Sequence, residues 1–185
     1  TIELNPDELK RKRIHFTEDF HRAHPQIDLA CHGEGERIFK IILEQMAIDR
    51  CQDKSKIPQV SFLDQNGQFN FNVKLERMND EELAKTASPF TDGLFDKLMA
   101  AYPKEQWIAL LETDRGCPYS CSYCEWAGAI EDKVYKFSLP QTYANIMWQA
   151  EHHIPYVFIC NANFGIFERD VQIAEFLAEA NAKYG

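Results

Sequence analysis

The sequence has no excess of positive charge and no long apolar run. Its 20 lysines and arginines are outnumbered by 29 aspartates and glutamates, which gives a formal net charge of −9 at pH 7. Nucleic-acid binding through phosphates needs clustered positive charge, so this balance argues against a nucleic-acid partner. No stretch approaches the roughly 18 continuous apolar residues of a membrane-spanning helix. A globular protein with neither a nucleic-acid nor a membrane partner is therefore expected.

The sequence also lacks a leading methionine and a signal peptide. It begins at Thr1, and a helix predicted over residues 171–184 ends at Gly185. In an alternating strand–helix fold another strand is expected after such a helix. We therefore expect the chain to be an internal piece of a longer protein.

Cysteine is concentrated in one loop. Three of the six cysteines lie within eight residues, at Cys117, Cys121 and Cys124. A disulfide framework would suit a small secreted chain, whereas this clustering indicates a metal site in a reducing compartment. The sequence therefore predicts a cytoplasmic protein in which these three residues are metal ligands. The other three are expected to be ordinary thiols: Cys31, Cys51 and Cys160.

The first half predicts an α/β domain that leads into a linker. Residues 6–24 are predicted to be helical, and the apolar residues 27–31 predict one short buried strand. A glycine turn and an amphipathic helix over 36–48 follow, so the segment reads as one strand–helix unit. Asn66-Gly67 is a strong hairpin signal, and apolar residues on both sides predict a β-hairpin that ends at Leu75.

The second half alternates between strands and helices. Apolar residues predict buried strands over 107–111 and 155–160, and helices are predicted over 139–153 and 169–184. This order implies parallel strands. Residues 77–106, before the first of these strands, lack strand periodicity and are predicted to contain short helical turns.

The cysteine loop follows the strand 107–111 directly, with the spacing Cys-x3-Cys-x2-Cys. Three thiolates on one loop can hold three irons of a cubane cluster, whereas ferredoxin runs supply four. An open metal position keeps a site chemically active. Two alternatives remain open: a structural zinc site with Cys160 or a histidine such as His152 as fourth ligand, and a cluster used only for electron transfer.

The run from Arg115 to Trp126, with the aromatic Tyr123 before the third cysteine, resembles the radical S-adenosylmethionine (SAM) superfamily. It is most similar to the branch that carries a cobalamin-binding domain in front of the barrel. In that branch a Gly-Glu-Gly-Glu turn closes the cobalamin domain, as residues 33–36 would here. A hairpin and a Ser-Pro linker follow in that branch, as do residues 57–75 and Ser88-Pro89-Phe90.

The resemblance implies an α/β fold in three parts. Residues 1–48 would be the C-terminal part of a Rossmann-like, cobalamin-binding domain, and residues 49–106 a linker with the β-hairpin. Residues 107–185 would be the first βα units of a partial (β/α)6 barrel. The cobalamin motif Asp-x-His-x-x-Gly is not matched: the nearest string, Asp19 to His24, lacks the glycine and is interpreted as a coincidence.

The resemblance also implies a function. Cys117, Cys121 and Cys124 would bind a 4Fe-4S cluster that reductively cleaves SAM to a 5′-deoxyadenosyl radical, for cobalamin-dependent methyl transfer or a related radical reaction. Tyr123 would lie near the adenine of SAM and Asn161 would contact the same cofactor. Cobalamin would be bound mostly upstream. An electron donor such as flavodoxin or ferredoxin is expected, and the substrate, a small molecule or a peptide, is left undetermined.

Overall fold

A computed structural model describes residues 17–72, 77–119, 121, 123–124 and 133–185. The chain divides into two compact units, Thr1–Arg77 and Met78–Gly185. No helix in the described ranges is long and apolar enough to cross a membrane. The predicted helix over 6–24 is confirmed for residues 17–23 (α1), and its earlier part lies outside the described residues.

The first unit contains a three-stranded antiparallel sheet. Its strands are β1 (Ala30–Cys31), β2 (Val60–Leu63) and β3 (Phe69–Asn72), in the spatial order β1-β2-β3. The predicted hairpin is confirmed as β2 and β3, and its end over 73–75 lies outside the described residues. Gly67 has a positive φ of 74° in the turn, a conformation that glycine adopts without steric cost.

Helix α2 (Gly35–Asp49) confirms the predicted helix and packs on this sheet. Ile38 and Ile42 lie on its buried face, and the same core includes Ile57, Val60 and Phe62. Gly33 lies in the turn before this helix and has a positive φ of 79°, a conformation that glycine adopts without steric cost.

The prediction of a buried strand over 27–31 is wrong in two respects. The strand is only two residues long, and neither residue is buried: Ala30 is half-buried and Cys31 is exposed. Among the described residues it pairs with β2 alone, in antiparallel orientation, at the edge of the sheet. In the part of the first unit that the structure describes, no parallel strand pair is present.

Two histidines share one buried serine in this unit. His21 Nε2 lies 2.9 Å from Ser61 Oγ, and His32 Nε2 lies 2.8 Å from the same oxygen. Ser61 is fully buried on β2, and His21 is 1% exposed. These contacts fix α1 and the segment after β1 against the middle strand of the sheet.

The second unit begins with short helices, as predicted for residues 77–106. They are α3 (Asp80–Ala84) and α4 (Leu94–Ala101). Asn79 caps α3: its side chain accepts a hydrogen bond from the Glu82 N–H, and the Glu82 carboxylate accepts one from the Asn79 N–H. This reciprocal capping satisfies two backbone donors at the helix start.

A parallel strand pair with two helices on one face forms the body of the second unit. Strands β4 (Ile108–Leu111) and β7 (Tyr156–Ile159) are parallel, as predicted, with Leu111 beside Ile159. The helices are α5 (Leu139–Glu151) and α6 (Glu168–Tyr184), which confirm the predicted helices. Their core with the sheet consists of Leu111, Ile146, Ile173 and Ala180.

Residues 107–111 were predicted to form a buried strand, but β4 is buried on one face only, and β7 is half-buried on one face. The side chains on the other face are between 62% and 70% exposed: Ile108, Leu110, Tyr156 and Phe158. Helices α5 and α6 cover a single face of the pair, so every second residue of each strand stays open to solvent. A strand made only of apolar residues has the same sequence pattern whether one or both of its faces are covered.

A short antiparallel pair lies after β4. It consists of β5 (Asp114–Arg115) and β6 (Tyr135–Lys136). The cysteine loop lies between these strands in sequence, and residues 120, 122 and 125–132 of it are outside the described residues. The pair joins the two ends of the loop next to β4.

Candidate functional site

The candidate site lies where β4 and β7 end. Parallel strands meet at the same edge of a sheet, and chemistry in barrels of such strands is found at their carboxyl ends. Thr113 and Asp114 follow β4, and the loop from Asn161 to Gly165 follows β7. The structure therefore brings the start of the cysteine loop next to Asn161, the two features that sequence analysis had singled out.

The three clustered cysteines are free and half-buried. The Cys124 N–H donates to the carbonyl of Cys121 over 3.0 Å, which forms a tight turn in this part of the loop. Among the described residues, no three His, Cys, Asp or Glu side chains are grouped to hold one metal ion. Thiolates bind an iron–sulfur cluster through different irons, so a cluster does not require that grouping.

One residue after β7 contacts a cysteine of this loop. Asn163 Nδ2 donates a hydrogen bond to Cys117 Sγ over 3.0 Å, in a half-buried environment. Residue 163 is separated from Cys117 by 46 positions, so no local spacing indicates the contact. The hydrogen bond connects the loop after β7 with the first cysteine of the motif.

Asn161 connects the two strand ends. Its Nδ2 donates to Thr113 Oγ1 and to Asp114 Oδ2, both over 2.6 Å, and its Oδ1 accepts from the Thr113 N–H over 2.9 Å. These three bonds use both amide hydrogens and one acceptor position. Asn161 thus fixes the end of β4 to the end of β7, and its predicted role in cofactor binding stays a prediction.

A pair of buried carboxyl groups lies beside Asn161. Asp114 is 3% exposed and Asp170 is 1% exposed. Burial, and then the nearby negative charge of Asp170, raise the pKa of Asp114 from 3.8 to about 6. Asp170 Oδ2 accepts the N–H groups of Gly165 and Phe167, over 2.9 and 3.0 Å, which fixes the turn before α6.

We expect Asp114→Asn to stabilise the second unit above pH 6 and to have little effect near pH 4. Folding raises the pKa of Asp114, so the folded state prefers the protonated carboxyl; stability is full below pH 3.8 and falls as the pH rises to about 6. Asparagine stays neutral, and its oxygen can still accept from Asn161. Urea unfolding at both pH values measures the difference.

The control for this prediction is the exposed Asp92, replaced by asparagine in the same unit. This variant removes one negative charge without relieving a buried one, so its stability should change little at either pH. An Asp114→Asn gain of equal size near pH 4 and above pH 6 would contradict the ionisation argument.

Comparison with known proteins points to a family. The chain is 37% identical over 169 residues to the cobalamin-dependent radical SAM methyltransferase TokK of Streptomyces tokunonensis. It is 36% identical over 169 residues to the 2-(S-pantetheinyl)-carbapenam-3-carboxylate methyltransferase of Streptantibioticus cattleyicolor. These two relatives support the cobalamin-associated branch of the radical SAM superfamily as the family of the chain. Both alignments cover 90% of the chain and 24% of the relative, so the chain spans about a quarter of their length.

Solved structures support the fold of the chain. The cobalamin-dependent SAM radical enzyme OxsB, with aqua-cobalamin and SAM bound, matches 89% of the chain and 22% of its own. The TM-score is 0.60 at 24% identity. The methyltransferase TsrM of Kitasatospora setae, with tryptophan and a SAM analogue, matches 83% of the chain and 29% of its own, with TM-score 0.54 and 16% identity. No protein-family model matches the chain.

Tyr123 points to solvent, with 89% of its side chain exposed. A hydrogen bond with Cys121 raises the pKa of its phenol. Its predicted place near an adenine stays a prediction. Sequence analysis missed Thr113, Asp114 and Asp170; polar residues directly after an apolar strand were the signal for the first two, whereas Asp170 reads as an ordinary acid at a helix start.

Proposed function

We propose that this chain is part of a radical SAM methyltransferase in which Cys117, Cys121 and Cys124 hold a 4Fe-4S cluster. The observation that carries the proposal is the position of the loop: three free, half-buried thiols follow the end of β4, and the Asn163 amide from the end of β7 lies 3.0 Å from one of them. Thiolates are the ligands of iron–sulfur clusters, so the donor set fits the group.

The chemistry of the bound cluster is a one-electron transfer to SAM, which breaks one carbon–sulfur bond and gives methionine and a 5′-deoxyadenosyl radical. The chain's own residues would hold and shield this site. Three cysteines leave one iron without a protein ligand, where SAM can bind. Tyr123 and Asn161 are proposed to contact SAM, Tyr123 through its exposed ring and Asn161 through the one acceptor position not used by Thr113.

The remaining parts of the proposal concern the protein around this site. We propose that residues 1–48 end a Rossmann-like, cobalamin-binding domain, that 49–106 are a linker, and that 107–185 begin a (β/α)6 barrel. The parallel pair β4 and β7 with helices on one face supports the last assignment. Methyl transfer would use cobalamin and an electron donor such as flavodoxin or ferredoxin, in the cytoplasm.

The test is an iron and sulfide count with electron paramagnetic resonance of the full chain after anaerobic reconstitution. We expect about four irons and four sulfides per chain, the content of a cubane cluster. SAM should change the spectrum of the reduced protein, because it would bind the open iron. Methionine and 5′-deoxyadenosine should appear when reductant is added.

The alternatives give different results in the same experiment. Zinc in place of iron would support a structural metal site. A cluster whose spectrum ignores SAM, with no 5′-deoxyadenosine formed, would support an electron-transfer role. Either result would contradict the proposed function.

A further inference from the structure

The side chain of Asn163 makes a contact that serves neither the cap of the following helix nor the connection between the two strand ends. The helix that follows begins at Glu168, and its first turn is capped through Asp170 and Phe167, not through Asn163. The two strand ends are joined by Asn161. Asn163 instead directs its amide hydrogen toward Cys117 Sγ, 3.0 Å away and half-buried.

An amide donor at a ligand sulfur has an electrostatic consequence. Reduction adds one electron and no proton to a 4Fe-4S cluster, and part of the added negative charge lies on the thiolate ligands. A hydrogen bond to such a sulfur stabilises the more negative, reduced state and raises the reduction potential. The half-buried position of the contact strengthens the effect, since solvent screens it less.

We propose that Asn163 is a positioning residue that raises the reduction potential of the cluster through its hydrogen bond to Cys117. The inference rests on the proposed function, because it needs the cluster that Cys117, Cys121 and Cys124 would bind. It extends that function by assigning a role to a residue outside the cysteine loop. The loop after β7 would thus set how readily the cluster accepts its electron.

The geometry that holds Asn163 supports this role. Gly165 and Phe167 donate their N–H groups to the buried Asp170 carboxylate, which fixes the end of the loop. Asn161 fixes its beginning to Thr113 and Asp114. The amide of Asn163 is therefore held from both sides and does not have to be ordered when the cluster is reduced.

The experiment is a potentiometric titration of the reconstituted full chain with dithionite or titanium(III) citrate, followed by the paramagnetic resonance of the reduced cluster. Asn163→Leu keeps the size and removes the donor. At a potential where the wild-type cluster is half reduced, we expect the reduced-to-oxidised ratio of the Asn163→Leu cluster to be about tenfold lower. This corresponds to a reduction potential lower by about 59 mV for one electron. Asn163→Asp replaces the donor with a negative charge, so the ratio should fall further.

Two further variants separate this role from a general effect on folding. Asn163→Gln keeps an amide and should recover part of the wild-type potential. Asn145→Leu is the matched control: the same change in the same unit breaks a contact with Ser88 and none with sulfur, and the potential should not move.

The outcomes are distinguishable. Wild-type potentials in both Asn163→Leu and Asn163→Asp would overturn the inference and leave the proposed function intact. An equal shift in Asn145→Leu would overturn it as well, because the effect would then be structural. If the wild-type chain binds no cluster, the proposed function fails and this inference fails with it. If Asn163→Leu protein does not hold a cluster, the reduction potentials of Asn163→Asp and Asn163→Gln are compared instead. A lower potential in Asn163→Asp supports the inference, and equal potentials overturn it.

Discussion

Cys124→Ala protein is expected to hold almost no 4Fe-4S cluster and to release no 5′-deoxyadenosine. Each of the three cysteines would bind a different iron, so the loss of one thiolate leaves two irons without a protein ligand. Loss of an outer-shell partner costs a metal site about 10- to 100-fold, and loss of a ligand should exceed that. The measurement is iron per chain and 5′-deoxyadenosine formed with reductant. Cys117→Ala and Cys121→Ala should behave in the same way.

The matched control for this prediction is Cys160→Ala. Cys160 is also a free, half-buried cysteine at the end of a strand, and its thiol donates to the Phe158 carbonyl over 3.6 Å. We expect this variant to keep its iron. Metal loss in Cys160→Ala as large as in Cys124→Ala would contradict an open iron and would favour a four-cysteine site.

Ile173→Ala is expected to lower the free energy of unfolding of the second unit by about 2–5 kcal/mol. Ile173 is fully buried in α6, where it packs with Leu111 of β4 and Ile146 of α5. The substitution removes three methyl or methylene groups from the centre of this core and leaves a cavity between both helices and the sheet. Urea unfolding followed by circular dichroism measures the loss.

Val171→Ala on the same helix is the control. Val171 is 57% exposed, so its replacement removes little buried surface and should change stability by no more than about 0.5 kcal/mol. If both variants lost the same stability, the effect would belong to the unfolded state and not to the core, because alanine has the higher helix propensity.

The fold could be predicted where local patterns determine it. The Asn66-Gly67 pair predicted its hairpin correctly, although of the two residues only Gly67 adopts a positive φ. Helices α5 and α6 follow from apolar periodicity, and the parallel pairing of β4 and β7 follows from a helix between two strands. The direction and burial of residues 27–31 could not be predicted in this way. An edge strand and an enclosed strand can share the same apolar run, and only the pairing with β2 distinguishes them.

The candidate site, too, could be predicted from the sequence only in part. The three cysteines could be proposed as ligands because one loop carries them at a fixed spacing. Asn161 and Asn163 are chemically identical and two positions apart, and the sequence gives no reason to separate them. The structure directs Asn161 to Thr113 and Asp114, and Asn163 to Cys117. Which side a loop side chain faces depends on residues about 46 to 48 positions away, so it lies beyond local patterns.

The serine shared by His21 and His32 has a consequence for the hydrogens of both imidazoles. Burial lowers the pKa of each histidine, which favours neutral rings. A hydroxyl carries a single hydrogen, so Ser61 can donate to at most one of the two Nε2 atoms and must accept from at least one. His21 Nδ1 is buried and has no hydrogen-bond partner among the described residues.

A buried N–H without an acceptor is rarer in proteins than an acceptor without a donor, so His21 carries its hydrogen on Nε2 and leaves Nδ1 bare. Ser61 accepts this hydrogen. The same hydroxyl oxygen contacts His32 Nε2, so one buried serine links the hydrogen positions of two rings, from α1 through β2 to the segment after β1.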